Sequence, residues 1–355
     1  MIRILLVGPL PPPMGGNTRH FAGLLEDLMT DERFSVKLIN TSRAEGFTNP
    51  LMNLRAALAT LFAVARNLAS VDVISYHASN RGMSLFGPVI VGLGKLFRKP
   101  IVLRIFGGSF GDLYEKQVGL RRFVTRHWIM SANVVLLQTR RSMRQLEGSG
   151  SGRLEWFSTY VKTAPRMESA PAAAVEQDQV CSRFIFLGHL WQAKGVETML
   201  EAAPHLPAGV SIDIYGPLDE YREADINERG AGRVRYCGFL THEEVDRKLW
   251  DYHCLVLPTF HSSEGYPGVI AEAFVHGLPV ISTNWLAIPE IVDSSCGILI
   301  EPRDTGALIA AISAIHDDTA LWQELCKGAK ARAARFDHSV WSRKFEEICI
   351  ELAAK

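Results

Sequence analysis

One pattern recurs along this chain: a short apolar run, a loop rich in glycine or proline, and a stretch with helical periodicity. This alternation is typical of strand–helix–strand units built around a parallel sheet. In the first half, strands are predicted at 2–7, 35–39, 71–76, 101–105 and 134–138, with helices at 18–29, 53–68, 84–97 and 120–131. Because these strands are apolar on both faces, helices should cover the sheet on both sides.

The pattern is interrupted at 162–180, where proline, alanine and polar residues follow one another without apolar periodicity. It then restarts, with strands predicted at 183–187, 210–215, 234–237, 254–257, 279–282 and 297–300. The length of 355 residues also favours two cores over one. The sequence therefore predicts two doubly wound α/β domains, 1–161 and 181–336, joined by a linker at 162–180. A terminal amphipathic helix should occupy 337–355, with Asp337 or Ser339 as its N-cap.

Composition excludes several classes of protein. Lys and Arg together number 38, as do Asp and Glu, so no overall field is expected to attract nucleic acid. The six cysteines include no pair at metal-binding or redox spacing. The apolar N-terminus lacks the features of a signal peptide, and no uncharged apolar stretch reaches the ~18 residues of a membrane span. We expect a cytoplasmic protein.

The densest chemical signal is PTFHSSEGYPGVIAEAFVHGLPVIST at 258–283. A buried strand is followed by a loop with Glu264, and then by a glycine-rich turn before a helix that begins near Gly268. Such a junction directs backbone N–H groups and a helix dipole to one point, which favours an anion. Glu272 lies about one turn inside the helix. Either glutamate could be an ordinary surface acid, but Glu272 stands among apolar residues, where an unpartnered charge is costly.

Two further segments suggest phosphate contacts. In FIFLGHLWQAKGVETMLEAA, 184–203, a strand is followed by Gly188, a short loop and Lys194, just before a helix. Lys194 could offset the charge of a departing diphosphate, or it could be a surface lysine. Gly15 and Gly16 precede the first helix and could form a second amide nest, although glycines also simply mark loops.

A basic and partly aromatic group in the first domain comprises Arg121, Arg122, Arg126, Arg140, Arg141, Arg144 and Trp128. It could rest on anionic lipid or form solvated helix faces. The eleven histidines show no HExxH spacing, and no Asp-x-Asp pair occurs. We therefore expect neither a metal nor a cofactor.

The segment EGYPGVIAEA resembles the E-x7-E motif of the retaining GT-B glycosyltransferases of glycosyltransferase family 4, the group 1 glycosyltransferases. Four further segments resemble those of that family and occur in the same order: FLGHLWQAKGVETMLEAA, VRYCGFLTHEEV, LPTF and HGLPVISTNWLAIPEIV. The resemblance is close over the second domain and loose over the first. It implies two Rossmann-like domains that face each other across a cleft, with the C-terminal helix crossing back to the first domain.

The resemblance also implies roles for individual residues. Glu272 should hold the ribose, Lys194 the diphosphate, and Glu264 with the amides after it the sugar. The implied site for the nucleotide sugar comprises Gly16, Phe106, Gly107, His189, Lys194, Phe239, Leu240, Glu264, Gly265, Tyr266, Pro267, Gly268, Val269 and Glu272. Glu264 and Lys194 are its catalytic residues. Within this set, Gly16 should contact the distal phosphate, and Phe239 and Leu240 the base.

Two positions depart from the family pattern. His189 stands where family members usually carry arginine, so a permanent phosphate contact becomes titratable or is lost. Phe106 stands where a histidine usually contacts the 6-hydroxyl of the donor. We therefore hypothesise a 6-deoxy donor sugar, whose methyl group an apolar ring could bury.

The resemblance implies a retaining, metal-independent transferase that moves a sugar from a nucleotide diphosphate sugar to a glycan, lipid-linked or small-molecule acceptor. Peripheral contact with a membrane surface is among the expected interactions. Two alternatives remain: a sugar-nucleotide epimerase of the same architecture, which would need acids and a histidine placed for proton transfer, and a catalytically silent sugar-nucleotide-binding subunit.

Overall fold

A computed structural model describes residues 1–12, 15–42, 50–162 and 180–355. The chain divides into two compact units. Unit 1 consists of Met1–Thr159 and His338–Lys355, and unit 2 of Tyr160–Asp337. The predicted linker at 162–180 lies outside the described residues except for its two end positions.

Unit 1 contains a parallel sheet in the order β2-β1-β3-β4-β5-β6. Its strands are β1 (Ile2–Gly8), β2 (Phe34–Asn40), β3 (Val73–Ser79), β4 (Ile101–Phe106), β5 (Val134–Leu137) and β6 (Arg153–Trp156). The helices between them are α1 (Gly16–Thr30), α2 (Pro50–Asn67), α3 (Asn80–Leu96), α4 (Phe110–Lys116), α5 (Gly119–His127) and α6 (Arg140–Leu146).

Helices cover both faces of this sheet. Val64 of α2, Ile90 of α3 and Ile129 just after α5 belong to one buried apolar cluster on one face. Phe21 of α1 and Phe345 near the C-terminus are buried on the opposite face, beside β1 and β3. The strands are therefore apolar on both sides because each side carries a helical layer.

Unit 2 contains a second parallel sheet in the order β12-β11-β10-β7-β8-β9. Its strands are β7 (Arg183–Leu187), β8 (Ser211–Tyr215), β9 (Val234–Tyr236), β10 (Cys254–Leu257), β11 (Val280–Thr283) and β12 (Gly297–Ile300). Its helices are α7 (Val196–Ala202), α8 (Glu223–Arg229), α9 (His242–Lys248), α10 (Gly268–Val275), α11 (Thr305–Asp317) and α12 (Thr319–Ala333).

The final helix, α13 (His338–Ala353), packs on unit 1 although it follows unit 2 in the chain. The ring of Trp341 meets that of Phe157 edge-on, with ring centres 5.5 Å apart. Arg33 and Glu346 form an ion pair with a nitrogen–oxygen distance of 2.7 Å. Both contacts join α13 to the first part of the chain. The predicted fold class, with two doubly wound domains and a returning C-terminal helix, is confirmed.

The predicted strands of both units are present, and no end is shifted by more than three residues. Sequence reasoning missed β6, α4 and α6 in unit 1. In the part of the chain that the structure describes, no helix is both long enough and apolar enough to cross a membrane.

Candidate functional site

The site in unit 2 lies where the strand order reverses. β7 and β10 are adjacent in the sheet, but the chain continues from β7 to one side and from β10 to the other. The loops that leave their carboxyl ends therefore diverge and open a crevice, which is the usual position for ligands in open α/β sheets. The loop after β7 carries Lys194, and the loop after β10 carries Glu264.

These two residues form a partly buried ion pair at the crevice. Lys194 Nζ donates to Glu264 Oε2 at 2.6 Å, and the side chains are 16% and 9% exposed. The Thr259 hydroxyl donates to the same carboxylate oxygen at 2.8 Å. Two donors thus hold Glu264 in place, and Lys194 keeps further capacity because an ammonium carries three N–H donors.

The backbone around Lys194 admits only glycine at the next position. Gly195 has a φ of +83°, and a Cβ there would overlap the Pro258 carbonyl oxygen. Phe260 N–H donates to the Ala193 carbonyl at 2.8 Å and joins the two loops. The close approach of these loops brings Lys194 to Glu264 although 70 positions separate them.

The segment from Glu264 to Pro267 is buried and leads directly into α10. The Tyr266 hydroxyl donates to Glu290 Oε2 at 2.6 Å, which anchors the turn. Pro267 is the N-cap residue, and a Cβ added to Gly268 would meet no atom within 4 Å. The eight-residue helix α10 therefore begins at an uncrowded position beside the ion pair.

Glu272 lies on α10, and its side chain is 6% exposed. Its Oε1 atom lies 3.7 Å from Nδ1 of His242, the first residue of α9. Phe239 and Leu240 lie just before Thr241, the N-cap residue of α9, and Phe239 is 59% exposed. The structure therefore brings an exposed aromatic ring and a buried carboxylate to neighbouring elements of unit 2.

A stack of three rings lies beside the ion pair, and sequence reasoning missed it. The ring centres of His189 and Trp191 are 4.7 Å apart, and those of Trp191 and His261 are 5.5 Å apart. Asp219 Oδ2 lies 2.9 Å from His189 Nδ1. His189, which replaces the arginine expected from the resemblance, is therefore oriented by a carboxylate and a tryptophan.

The surroundings of His261 change its pKa. Burial, and next the Lys194 ammonium, lower the pKa of His261, while Glu264 acts in the opposite direction. Its ring should therefore be neutral at pH 7. The signal for Trp191, Thr259 and His261 was available in the sequence, because all three lie in loops that directly follow predicted strands.

The remaining predicted site residues lie in unit 1. Gly16 is the first residue of α1, and a Cβ there would meet no atom within 4 Å. The Thr18 hydroxyl accepts a hydrogen bond from the Gly15 N–H at 3.0 Å and donates to the Gly15 carbonyl at 2.9 Å. The amide of Gly15 is thus engaged within the turn, which leaves those of the first helical turn as the candidates for an anion.

Phe106 and Gly107 offer less to a ligand than their sequence positions suggest. Phe106 is only 4% exposed, and its ring centre lies 4.8 Å from the guanidinium carbon of Arg104. Gly107 N–H donates to Gln138 Oε1 at 2.9 Å. The packing of Phe106 therefore provides no support for the 6-deoxy donor, which stays a prediction.

The predicted basic group divides between two helices. On α6, Arg141 is paired with Asp112 at 2.5 Å, and the guanidinium carbon of Arg140 lies 4.1 Å from the centre of the Trp156 ring. On α5, Arg121 and Arg126 are exposed. Among the described residues, no cluster of three or more His, Cys, Asp or Glu side chains could hold a metal ion.

Comparison with known proteins finds a family match within unit 2. Residues 181–318 match the family model described as glycosyl transferases group 1. The chain is 28% identical over 182 residues to the O-antigen chain mannosyltransferase B of Escherichia coli, an alignment that covers 49% of this chain. It spans only 46% of the length of that relative.

Solved structures extend the comparison to the whole chain. Sucrose-phosphate synthase from Thermosynechococcus elongatus has a TM-score of 0.76 at 17% identity and covers all of both chains. Anabaena HepE in complex with UDP has a TM-score of 0.75 at 15% identity, covering 99% of this chain and 100% of the other. Two Rossmann-like units of this kind define the GT-B fold. The match at 181–318 and the shared fold confirm the resemblance to group 1 glycosyltransferases identified from the motifs.

Proposed function

We propose that this protein transfers a sugar from a nucleotide diphosphate sugar to an acceptor hydroxyl, with retention of the anomeric configuration and without a metal ion. The observation that carries the proposal is the Lys194–Glu264 ion pair at the crevice between β7 and β10. A lysine that is already held at the start of a buried, glycine-rich turn is well placed to neutralise a diphosphate.

The rest of the donor can be fitted to the same edge of the sheet. The backbone N–H groups at the start of α10 would donate hydrogen bonds to phosphate or sugar oxygens, since the space beside Gly268 is open. Glu272 would accept hydrogen bonds from the ribose hydroxyls, and Phe239 would stack on the base. The proximity of Glu272 to His242, three residues after Phe239, supports this arrangement. HepE, a structural neighbour, binds UDP.

The proposed chemistry needs no enzymatic nucleophile. The acceptor oxygen bonds to the anomeric carbon as the bond from that carbon to the phosphate oxygen breaks, and the acceptor proton passes to the departing phosphate on the same face. Lys194 would stabilise the negative charge that develops on the diphosphate. Glu264 would position Lys194 and contact the sugar, because its carboxylate is already bonded to Lys194 and Thr259.

We also propose a cytoplasmic enzyme whose acceptor is a glycan, a lipid-linked sugar or a small molecule. An acceptor carried on lipid would place it at the inner face of a membrane. The 6-deoxy donor belongs to this proposal as a hypothesis, tested by comparing turnover of paired 6-hydroxy and 6-deoxy donors. Preference for the hydroxylated donor would end it.

The decisive test is a panel of UDP, GDP, ADP and dTDP sugars, incubated with and without a mixture of candidate acceptors. We expect one donor to raise the melting temperature and to release nucleoside diphosphate only when an acceptor is present. Conversion of the donor without an acceptor would indicate an epimerase. Tight donor binding without transfer to any acceptor would indicate a silent subunit. Proton NMR of the product reports its anomeric configuration, and an inverted configuration would contradict the retaining mechanism.

A further inference from the structure

Helix α5 presents its largest apolar side chains to solvent. Leu120 is 77% exposed and Phe123 53% exposed, and Val118, just before the helix, is 78% exposed. Within α5, Thr125 is the residue whose side chain is buried. Surface helices normally turn their apolar residues toward the core. The outward direction of Leu120 and Phe123 therefore requires an explanation beyond the stability of unit 1.

The neighbouring helix α3 extends this surface. α5 packs against α3, and the ring of Trp128, which follows α5, lies over Gly92. At the end of α3, Leu96 is 76% exposed and Phe97 42% exposed. Of the seventeen large apolar residues exposed in the described part of the chain, eight lie between positions 85 and 128. We call the side of unit 1 formed by α3, α5 and residues 118–128 the α3–α5 face.

The α3–α5 face is also strongly basic. Across 80–99 and 118–128 the sequence contains seven lysines and arginines and no aspartate or glutamate. Arg121 and Arg126 on α5, and Lys95 and Arg98 at the end of α3, are all exposed.

We propose that the α3–α5 face docks on a bilayer that contains anionic phospholipid. Exposed leucine and phenylalanine side chains can enter the boundary between headgroups and acyl chains while arginines beside them contact lipid phosphates. The proposal names the surface through which the protein would reach the membrane location proposed above. It rests on no step of sugar transfer, because vesicle binding is measured without donor or acceptor.

Charge and apolar area together favour a bilayer over a second copy of the chain. Two α3–α5 faces would repel each other, since both are positive. Unit 2 is acidic overall, but among its described residues only Val180, Leu218 and Phe239 are large, apolar and exposed. A contact between the α3–α5 face of one copy and unit 2 of a second copy would therefore give the arginines acidic partners but leave the exposed apolar residues without apolar partners.

The test is cosedimentation of the full-length protein with phosphatidylcholine vesicles, with and without roughly one third phosphatidylglycerol. We expect binding only to the anionic vesicles, weakened by high salt. An arginine close to an anionic surface strengthens binding about fivefold, so Arg121→Glu/Arg126→Glu should weaken binding by roughly 30-fold or more. Leu120→Ser/Phe123→Ser should also weaken binding, and its effect should persist at high salt.

Matched controls separate the face from net charge and from general surface polarity. Lys327→Glu/Lys355→Glu makes the same change in net charge at two exposed positions away from α5, and Met29→Ser replaces an exposed apolar residue on α1. Both should bind like the wild type, and melting temperatures should verify that all variants fold. Wild-type protein that ignores anionic vesicles, or α5 variants that bind as well as the controls, would overturn the proposal. Self-association lost only in the α5 variants would identify a protein partner instead, and would also overturn it.

Discussion

The two units have the same layered architecture but opposite charge. Unit 1 contains 23 lysines and arginines against 13 aspartates and glutamates, whereas unit 2 contains 15 against 25. Each unit thus carries ten net charges, positive in unit 1 and negative in unit 2, and they cancel in the whole chain. A neutral total therefore does not mean a neutral surface. The prediction that no overall field would attract nucleic acid describes the sum of the charges and not the separate units.

The units also differ in what surrounds the charged side chains near the sheet. In unit 2 the charged residues at the reversal point are paired with each other, as Lys194 is with Glu264. In unit 1 the guanidinium carbon of the buried Arg104 lies 4.8 Å from the Phe106 ring centre and 4.5 Å from that of Phe157. The group 1 family match covers 181–318, within unit 2. The donor site proposed above lies within the part of unit 2 that matches this family.

The largest expected effect sharpens the assignment of the donor chemistry to unit 2. Lys194→Met should lower kcat by roughly 100- to 1000-fold, because a preorganised charge at the departing diphosphate is lost. The control is Lys327→Met, a 72% exposed lysine in the same unit. Rates are compared by release of nucleoside diphosphate. A Lys194→Met rate within about threefold of wild type would remove Lys194 from the mechanism.

A second prediction concerns the close approach of the two loops in unit 2. Gly195 and Gly209 both have a φ of +83°, but only at Gly195 would a Cβ meet other atoms within 4 Å. Gly209→Ala should cost about 1 kcal/mol of unfolding free energy, from backbone strain alone. Gly195→Ala should cost about 3 kcal/mol or more, since overlap with the Pro258 carbonyl is added. Equal losses in urea denaturation would show that the loops can move apart.

The smallest expected effect concerns pH and belongs to unit 1. Burial, and next the charge of Arg104, hold the pKa values of His20 and His77 well below the usual 6.5. Above this pH both states carry neutral imidazoles, so stability does not change. Below it the unfolded chain gains protons that the folded chain does not, and stability falls by about 1.4 kcal/mol per pH unit for each histidine until the lowered pKa is reached.

Replacing one of these histidines tests whether they cause the loss of stability at acid pH. His77→Gln should reduce the pH slope between about pH 6.5 and pH 5 by up to 1.4 kcal/mol per pH unit, measured by urea denaturation. His205→Gln, at an exposed position in unit 2, should leave the slope unchanged. A slope that is the same in both variants would place the acid sensitivity elsewhere in the chain.

Much of the fold could be predicted because a buried parallel strand must be apolar on both faces. β7 and β10, at the centre of the second sheet, have the predicted bounds for this reason. β6 was missed because it is an edge strand whose polar residues Arg153 and Glu155 interrupt any apolar run. α4 and α6 were missed because seven residues are too few to establish a helical period.

The candidate site was predictable only in part. Lys194, Glu264 and Glu272 follow predicted strands or lie at the predicted helix start, so their common edge followed from topology. The loop positions of His189, Trp191 and His261 could be predicted, but their stacking could not, because ring packing between two loops depends on how closely their backbones approach. The burial of Phe106 is likewise a property of its neighbours in unit 1.

The most direct test of the account is calorimetric titration of wild-type protein and Glu272→Ala with the nucleoside diphosphate of the preferred donor. Glu324→Ala, at a 70% exposed position, serves as the control. The account predicts one site per chain, with binding at least tenfold weaker in Glu272→Ala and unchanged in Glu324→Ala, because the ribose loses a charged hydrogen-bond acceptor. Equal affinity in all three proteins would contradict a donor site at the edge formed by β7, β10 and α10.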